Sequence, residues 1–274
     1  MISIITAIYN QLDMNKIFYK YLVANTSLPF ELIIVDNNSN DGSREFFENL
    51  PNTIVIKNKS NYNYPYCQNI GIKHAKYEIL CFFNNDIIIS KNWDKHILRI
   101  LNENKEIKVL SVATNDHLES KIAARKINRK WKKIKYPLIK LFGTKTFSLK
   151  LMLRLMYGNI NNFADKRFKK WAYSTIEGYS GSAIIITKDC LETIGLWDER
   201  IQAADFDLFN RVKKQSLSNK KIMAIQLALG VYFHHYQRLT VKTKYPEFVN
   251  KNQMISLEQK WKDETKFLRK DIIG

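Results

Sequence analysis

A chain of 274 residues with 45% hydrophobic and 12% aromatic side chains can bury a sizeable core and is too apolar to be disordered. Its formal charge of +18 is uneven: residues 119–172 hold 16 Lys and Arg against Glu119 and Asp165, a net of +14. Cys67, Cys81 and Cys190, odd in number and lacking a CxxC pair, argue against a disulfide framework or zinc knuckle and fit a reducing cytosol. No apolar run approaches the roughly 18 residues of a membrane span. The strand-like start lacks the basic stretch and cleavage site of a signal peptide.

In chain order, runs 2–8, 31–36, 53–57, 78–83 and 108–113 predict strands, and helical spacing at 13–24, 44–50, 66–75 and 93–101 predicts helices between them. Strands that are apolar throughout, alternating with helices, predict an α/β chain whose mostly parallel sheet is covered on both faces. Ligands of such sheets sit at the carboxyl ends of the strands. The polar clusters fall there: Tyr9-Asn10, DNNSNDGS from Asp36, and Asn84-Asn85-Asp86. DNNSNDGS also fits an ordinary turn in which Ser39 or Asp41 caps the next helix. In CFFNNDIIIS a lone carboxylate, Asp86, follows two asparagines inside an apolar run, as either a turn or a ligand.

Residues 116–175 break the alternation. In KIAARKINRKWKKIKYPLIKLFG, Ile122, Ile127, Trp131, Ile134 and Leu138 recur among cations, predicting a basic helix that Pro137 interrupts, and the apolar SLKLMLRLMYG follows. Regular structure then resumes. GYSGSAIIITKD reads as a strand, CLETIG as a short helix closed by Gly195, ADFDLFNRVKKQ as a helix and ALGVYFHH as a strand. A lysine-rich amphipathic helix is expected from about residue 250. The divisions are 1–115, 116–175, 176–249 and 250–274. Asp205, Leu208, Phe209 and Val212 share the apolar face of one helix, where a carboxylate needs a partner or a task. Asp207 is spaced to pair with Arg211 on the surface. His234 and His235 close a strand and read equally well as structural residues.

Taken together and in this order, SIITAIYN, IIVDNNSNDGS, NYNYPYCQNIGIKHAKYEILCFFNNDIII, GYSGSAIIITKDCLETIGLWDERIQAADFDLFNR, VYFHHYQRLT and LEQKW resemble the inverting glycosyltransferases of family 2. The resemblance covers nearly all of the chain outside the basic segment. It implies the GT-A, Rossmann-like fold, here with a basic helical insertion and a C-terminal helix. It implies a nucleotide-diphosphate sugar donor, most simply a UDP-sugar, and Mn2+ or Mg2+ held by Asp86 and His234, with His235 as the alternative. Asn10, Asp36, Asn38, Asn69, Asn84 and Asn85 become donor-binding residues, with Asp36 accepting from the base and Asn10 and Asn69 tying loops around the nucleotide. Asp205 becomes the base that deprotonates the acceptor hydroxyl, with Gly181, Trp197 and Asp207 on the acceptor side. The chain departs from the family pattern at Asn84, where the first Asp of a DXD motif is usual, and at Ala204, where Glu is common. Gln68 and Asn63 stand where Arg and Gly are frequent.

The implied activity is sugar transfer to a glycan or lipid-linked glycan during bacterial surface polysaccharide synthesis. The expected location is cytoplasmic, peripheral on the inner face of the cell membrane. Three readings of the basic segment compete. It is a solvated insertion, a face for anionic membrane into which Trp131, Leu138 and Phe142 dip, or a nucleic-acid surface, for which no binding motif appears. The rival class is a basic membrane- or nucleic-acid-binding protein on a degenerate transferase fold without turnover.

Overall fold

The computed structural model describes residues 1–218, 221–237, 239 and 246–267. Arg238 and Thr240 of the VYFHHYQRLT motif, and residues 268–274 of the expected C-terminal helix, lie outside the described residues. β1 (Ile2–Ile8), β2 (Phe30–Asp36), β3 (Thr53–Lys57) and β4 (Ile79–Phe83) run parallel in the spatial order β3-β2-β1-β4. Parallel neighbours need crossovers, supplied by α1 (Leu12–Asn25), α2 (Ser43–Glu48) and α3 (Tyr64–His74). Beyond β4 the sheet is mixed. β8 (Ala183–Thr187) enters antiparallel between β4 and β6 (Val109–Thr114), and β9 (Gln226–His235) runs parallel to β6. Two short strands absent from the sequence reading, β5 (Ile87–Ile88) and β7 (Thr175–Glu177), pair antiparallel with β9.

The period of two decides which core each strand residue enters. Ile2, Ile4 and Ile8 of β1 pack with Met14, Phe18 and Leu22 of α1. Ile5 faces the opposite core, shared with Leu208 and Phe209 of α9 (Ala204–Ser218). Burial on both faces explains strands without polar alternation. α3 lies so near β1 that a Cβ on Gly71 would fall 2.2 Å from Ile5 Cγ2.

The basic segment forms three helices, α5 (Lys121–Phe142), α6 (Thr146–Tyr157) and α7 (Ile160–Trp171), packed over β9. Pro137 does not interrupt α5. Pro137 and Lys133, four residues before it, are exposed, so the carbonyl deprived of its N–H partner can bond water, while Trp131, Ile134 and Leu138 pin both halves to the core. Trp131 is fully buried, its ring meeting His234 edge-on at 4.4 Å, and Leu138 packs against the same core. Neither can dip into a membrane; of the three residues expected to, Phe142 alone is exposed. Among the described residues no helix is long and apolar enough to cross a membrane.

The single C-terminal helix expected from about residue 250 is instead a 3-10 turn (Lys251–Gln253), α10 (Leu257–Trp261) and a further 3-10 stretch (Lys262–Phe267). Tertiary contacts override helical spacing here. Trp261 Nε1–H donates to Asp207 Oδ1 at 3.0 Å, and Lys260 Nζ lies 2.7 Å from carboxylate oxygens of both Asp198 and Asp207.

Candidate active site

Past Phe83, the Asn84 N–H donates to the Ser182 carbonyl at 3.0 Å and extends the β4–β8 pairing into the polar turn. Asn85 Nδ2 donates to Asn15 Oδ1 at 2.7 Å, and Asn15 Nδ2 in turn donates to the Asn10 carbonyl and to Ser43 Oγ. The 84–86 turn is thus locked to the end of β1 and the start of α2. Asp86 comes next, its backbone carbonyl accepting the Tyr236 N–H at 2.9 Å.

β5 pairs with β9 so that Ile87 stands opposite His235 and Ile88 opposite His234. Alternation along β9 then separates the two histidines. His235 Nε2 lies 3.3 Å from Asp86 Oδ1, and its Nδ1 lies 3.5 Å from Asp116 Oδ2. These are ion-pair distances without hydrogen-bond alignment, since Asp86 Oδ1 and His235 Nδ1 are buried and make no hydrogen bond among the described residues. The Asn115 side chain fixes the His235 backbone, accepting its N–H at 2.7 Å and donating to its carbonyl at 3.0 Å. Burial opposes charge on His235, but the Asp86 and Asp116 carboxylates prevail and push it up to about 10. Burial would raise Asp116, but its two histidine neighbours hold it well below the usual carboxylate range.

His234 points the other way. Its ring is fully buried against Trp131 and Tyr236, with Nδ1 2.9 Å from the Tyr157 hydroxyl. Desolvation drives it well below the normal histidine value. His234, expected as a metal ligand, therefore does not face Asp86, and of the two histidines it is His235 that does. Among the described residues no group of three or more His, Cys, Asp or Glu side chains is arranged to hold a metal ion. Asp86 and His235 nevertheless fit Mn2+ or Mg2+ bound mainly by phosphate and water, with the cation displacing the proton from His235 Nε2, because Asp86 Oδ1 and the imidazole face each other without a hydrogen bond.

At the nucleotide end expected from the sequence, Asp36 is fully buried and already committed. It accepts from the Ser39 N–H at 3.1 Å and from Arg44 Nε at 2.7 Å. The partly exposed Arg44 is the member of that pair presented to solvent, while the Asp36 carboxylate lies buried behind it. Asn38 sits in the left-handed region at φ 69, with Oδ1 3.5 Å from the same guanidinium. Asn10 Oδ1 accepts the Asn40 N–H, and Asn10 N–H donates to Ser39 Oγ, each at 2.8 Å, so Asn10 ties loops as expected. Asp41 accepts the N–H groups of Ser43 and Leu12, the first residues of α2 and α1, although the N-cap residue of α2 is Gly42. Asn69 is spent elsewhere. Its amide brackets Trp197, accepting the N–H at 3.0 Å and donating to the carbonyl at 2.9 Å, and also reaches Glu199. It ties the acceptor-side loop instead of the donor.

Asp205 opens α9, half-buried, with its carboxylate against Gly181: a Cβ on that glycine would lie 2.2 Å from Asp205 Oδ2. Ser182, the next residue, is the one that receives Asn84. Hydroxyls continue the connection. Thr114 Oγ1 donates to Asp116 Oδ1 at 2.5 Å, Ser180 Oγ is 3.1 Å from Thr114 Oγ1, and Ser182 Oγ is 3.0 Å from Ser180 Oγ. Asp86, His235, Asp116, Gly181 and Asp205 thus share one rim, joined through the ends of β4, β6, β8 and β9.

On the acceptor side, Trp197 is buried with its ring against Tyr64 and Phe82. Asp207 is buried, not on the surface, and is consumed by Arg211, Lys260 and Trp261. Sequence reasoning missed Arg44, Asn115 and Asp116. Thr114-Asn115-Asp116 follows an apolar strand just as Asn84-Asn85-Asp86 does, and that repeat of pattern was the available signal.

A family model described as glycosyl transferase family 2 matches residues 3–177. The chain belongs to that family. Its family 2 core is similar in fold to the mannosyltransferase PcManGT from Pyrobaculum calidifontis in complex with GDP-Man and Mn2+. That match has TM-score 0.50 and 12% identity and covers 83% of this chain and 56% of that one. S. aureus TarS 1-349 aligns with TM-score 0.50 and 16% identity over 85% of this chain and 60% of its own. The chain thus spans less than two thirds of the length of either structure. No curated protein matches it in sequence. The mixed α/β sheet flanked by helices is the GT-A glycosyltransferase fold.

Proposed function

We propose that this family 2 chain is an inverting glycosyltransferase that moves a sugar from a nucleotide-diphosphate sugar to a hydroxyl of a glycan or lipid-linked glycan. The observation that carries the reading is the shared rim, where the Asp86–His235 pair and Asp205 against Gly181 are joined through Asn84 and Ser182. Asp205 accepts the proton of the acceptor hydroxyl as that oxygen attacks the anomeric carbon from the face opposite the leaving diphosphate. The new bond therefore forms with inverted configuration. Asp86 and His235 would hold a divalent cation, which when bound would supply positive charge beside the departing phosphate oxygens. Arg44, Asn10 and Asn38 bound the nucleotide end. PcManGT carries GDP-Man and Mn2+, which supports this choice of donor class and ion.

The test is a thermal shift with UDP or GDP and Mn2+. At roughly a hundred times Kd, a rise of about 5 °C is expected for the unmodified chain and none for Asp86→Ala. The absence of a rise with either nucleotide would leave only the rival reading, a basic binding protein without turnover.

The acceptor is proposed to be presented at an anionic membrane, which puts the enzyme on the cytoplasmic face of a bacterial membrane in surface polysaccharide assembly. The support is Leu141, Phe142 and Phe147, exposed at the α5–α6 connection, beside the cations of α5. Each Lys or Arg near such a surface contributes about 1 kcal/mol. Co-sedimentation with vesicles of about 30% phosphatidylglycerol is expected at roughly 0.1 M salt, and weaker binding for Phe142→Asp with Phe147→Asp. Equal binding to neutral vesicles would exclude this placement.

A further inference from the structure

A cavity of about 400 Å³ lies between the ends of β6 and β9 and the α5 helix. Asp116, His235 and Gln237 line one wall, and Asn128, Lys132 and Lys135 the other. Its polar groups are unusual for a solvated basic helix. Asn128 Oδ1, Gln237 Nε2 and His235 Nδ1 are each buried without a hydrogen-bond partner among the described residues. Such groups cost free energy unless a ligand or water satisfies them. The Asn128 amide can turn to present its NH2 with little change in shape.

Both cations of the lining come from the same helix. Lys135 is buried, its Nζ donating to the Gln237 carbonyl at 3.1 Å. Lys132 lies three residues earlier, on the same helix face, and is exposed. Arg125, Lys126, Arg129 and Lys133 instead line an outer groove of the same helix. The cavity adjoins the Asp86 pair through a single imidazole, because His235 turns Nε2 to Asp86 and lines the cavity itself. Set against the one carboxylate of the lining, Asp116, which faces His235, the two ammonium groups and the amides leave an excess of positive charge that suits a compact polyoxyanion better than a neutral sugar.

We propose that this cavity is a phosphoryl-binding subsite, in which Lys132 and Lys135 of the inserted helix and the amides of Asn128 and Gln237 hold a phosphate oxyanion beside the Asp86–His235 pair. The proposal rests on reading that pair as the leaving-group end of a transferase. It makes the basic insertion part of the substrate site as well as a surface. The phosphate belongs to the donor diphosphate or to a phosphorylated acceptor.

Isothermal titration of inorganic pyrophosphate into the full chain, with and without saturating UDP or GDP, tests it. Pyrophosphate is expected to bind, about tenfold more weakly to Lys132→Ala and to Asn128→Ala, and unchanged to Lys133→Ala on the outer groove. Competition by UDP or GDP identifies the donor diphosphate as the source, and simultaneous binding identifies the acceptor phosphate. Absence of pyrophosphate binding, or equal weakening by Lys132→Ala and Lys133→Ala, overturns the subsite. If pyrophosphate binds as expected but neither nucleotide does even with Mn2+ present, the subsite stands and the transferase reading fails.

Discussion

Asp205→Asn is expected to lower kcat about 10²–10⁴-fold while changing the affinity for the nucleotide diphosphate by less than about twofold. Asparagine keeps the size of the side chain, so the contact with Gly181 survives and the loss is chemical. An amide cannot take the acceptor proton as the new bond forms. Asp205 is remote in sequence from the nucleotide-end loops, which Asn10, Arg44 and Asn85 hold together. Steady-state kinetics with a competent donor and acceptor, paired with calorimetry of the nucleotide, separates the two effects. A variant retaining more than about a third of the unmodified kcat would remove Asp205 from the base position. Proton NMR of the product supplies an independent check, because the new linkage should have the anomeric configuration opposite to the donor's.

Gly181→Ala is expected to reduce kcat about 100-fold without removing any ionisable group. The added methyl would sit 2.2 Å from Asp205 Oδ2 and 2.9 Å from its Cγ, so the carboxylate must move by an ångström or so. Displacement on that scale takes a base out of line with its proton. The backbone of Gly181 is not in the positive-φ region, so strain in the glycine itself is not the cause. In an Asp205→Ala background the same methyl has no carboxylate to displace and should cost less than about threefold. An equal loss in both backgrounds would mean that Gly181 acts through the fold of the turn and not through Asp205.

Much of the donor half was legible because its signals are local. The predicted strands 2–8 and 53–57 coincide with β1 (Ile2–Ile8) and β3 (Thr53–Lys57), and each of the other three predicted strands of the first 113 residues starts and ends within a residue of the observed one. Apolar runs buried on two faces leave little freedom of register. The basic segment was legible only as charge and helical spacing. That Pro137 would be tolerated depended on which side of α5 met water, and that Trp131 would be buried depended on β9 lying beneath it.

The sequence by itself determined the α/β alternation and the polar clusters at strand ends, since those depend on periodicity and residue chemistry along the chain. Only the tertiary structure decided between His234 and His235, because a one-residue shift of the β5–β9 register exchanges the faces of β9 and with them the two imidazoles. It alone showed that Asp36, Asn69 and Asp207 are occupied by Arg44, the Trp197 loop and the C-terminal segment. Those partners are distant in sequence, and the free energy of a buried carboxylate or amide is set by whichever partner the fold brings to it.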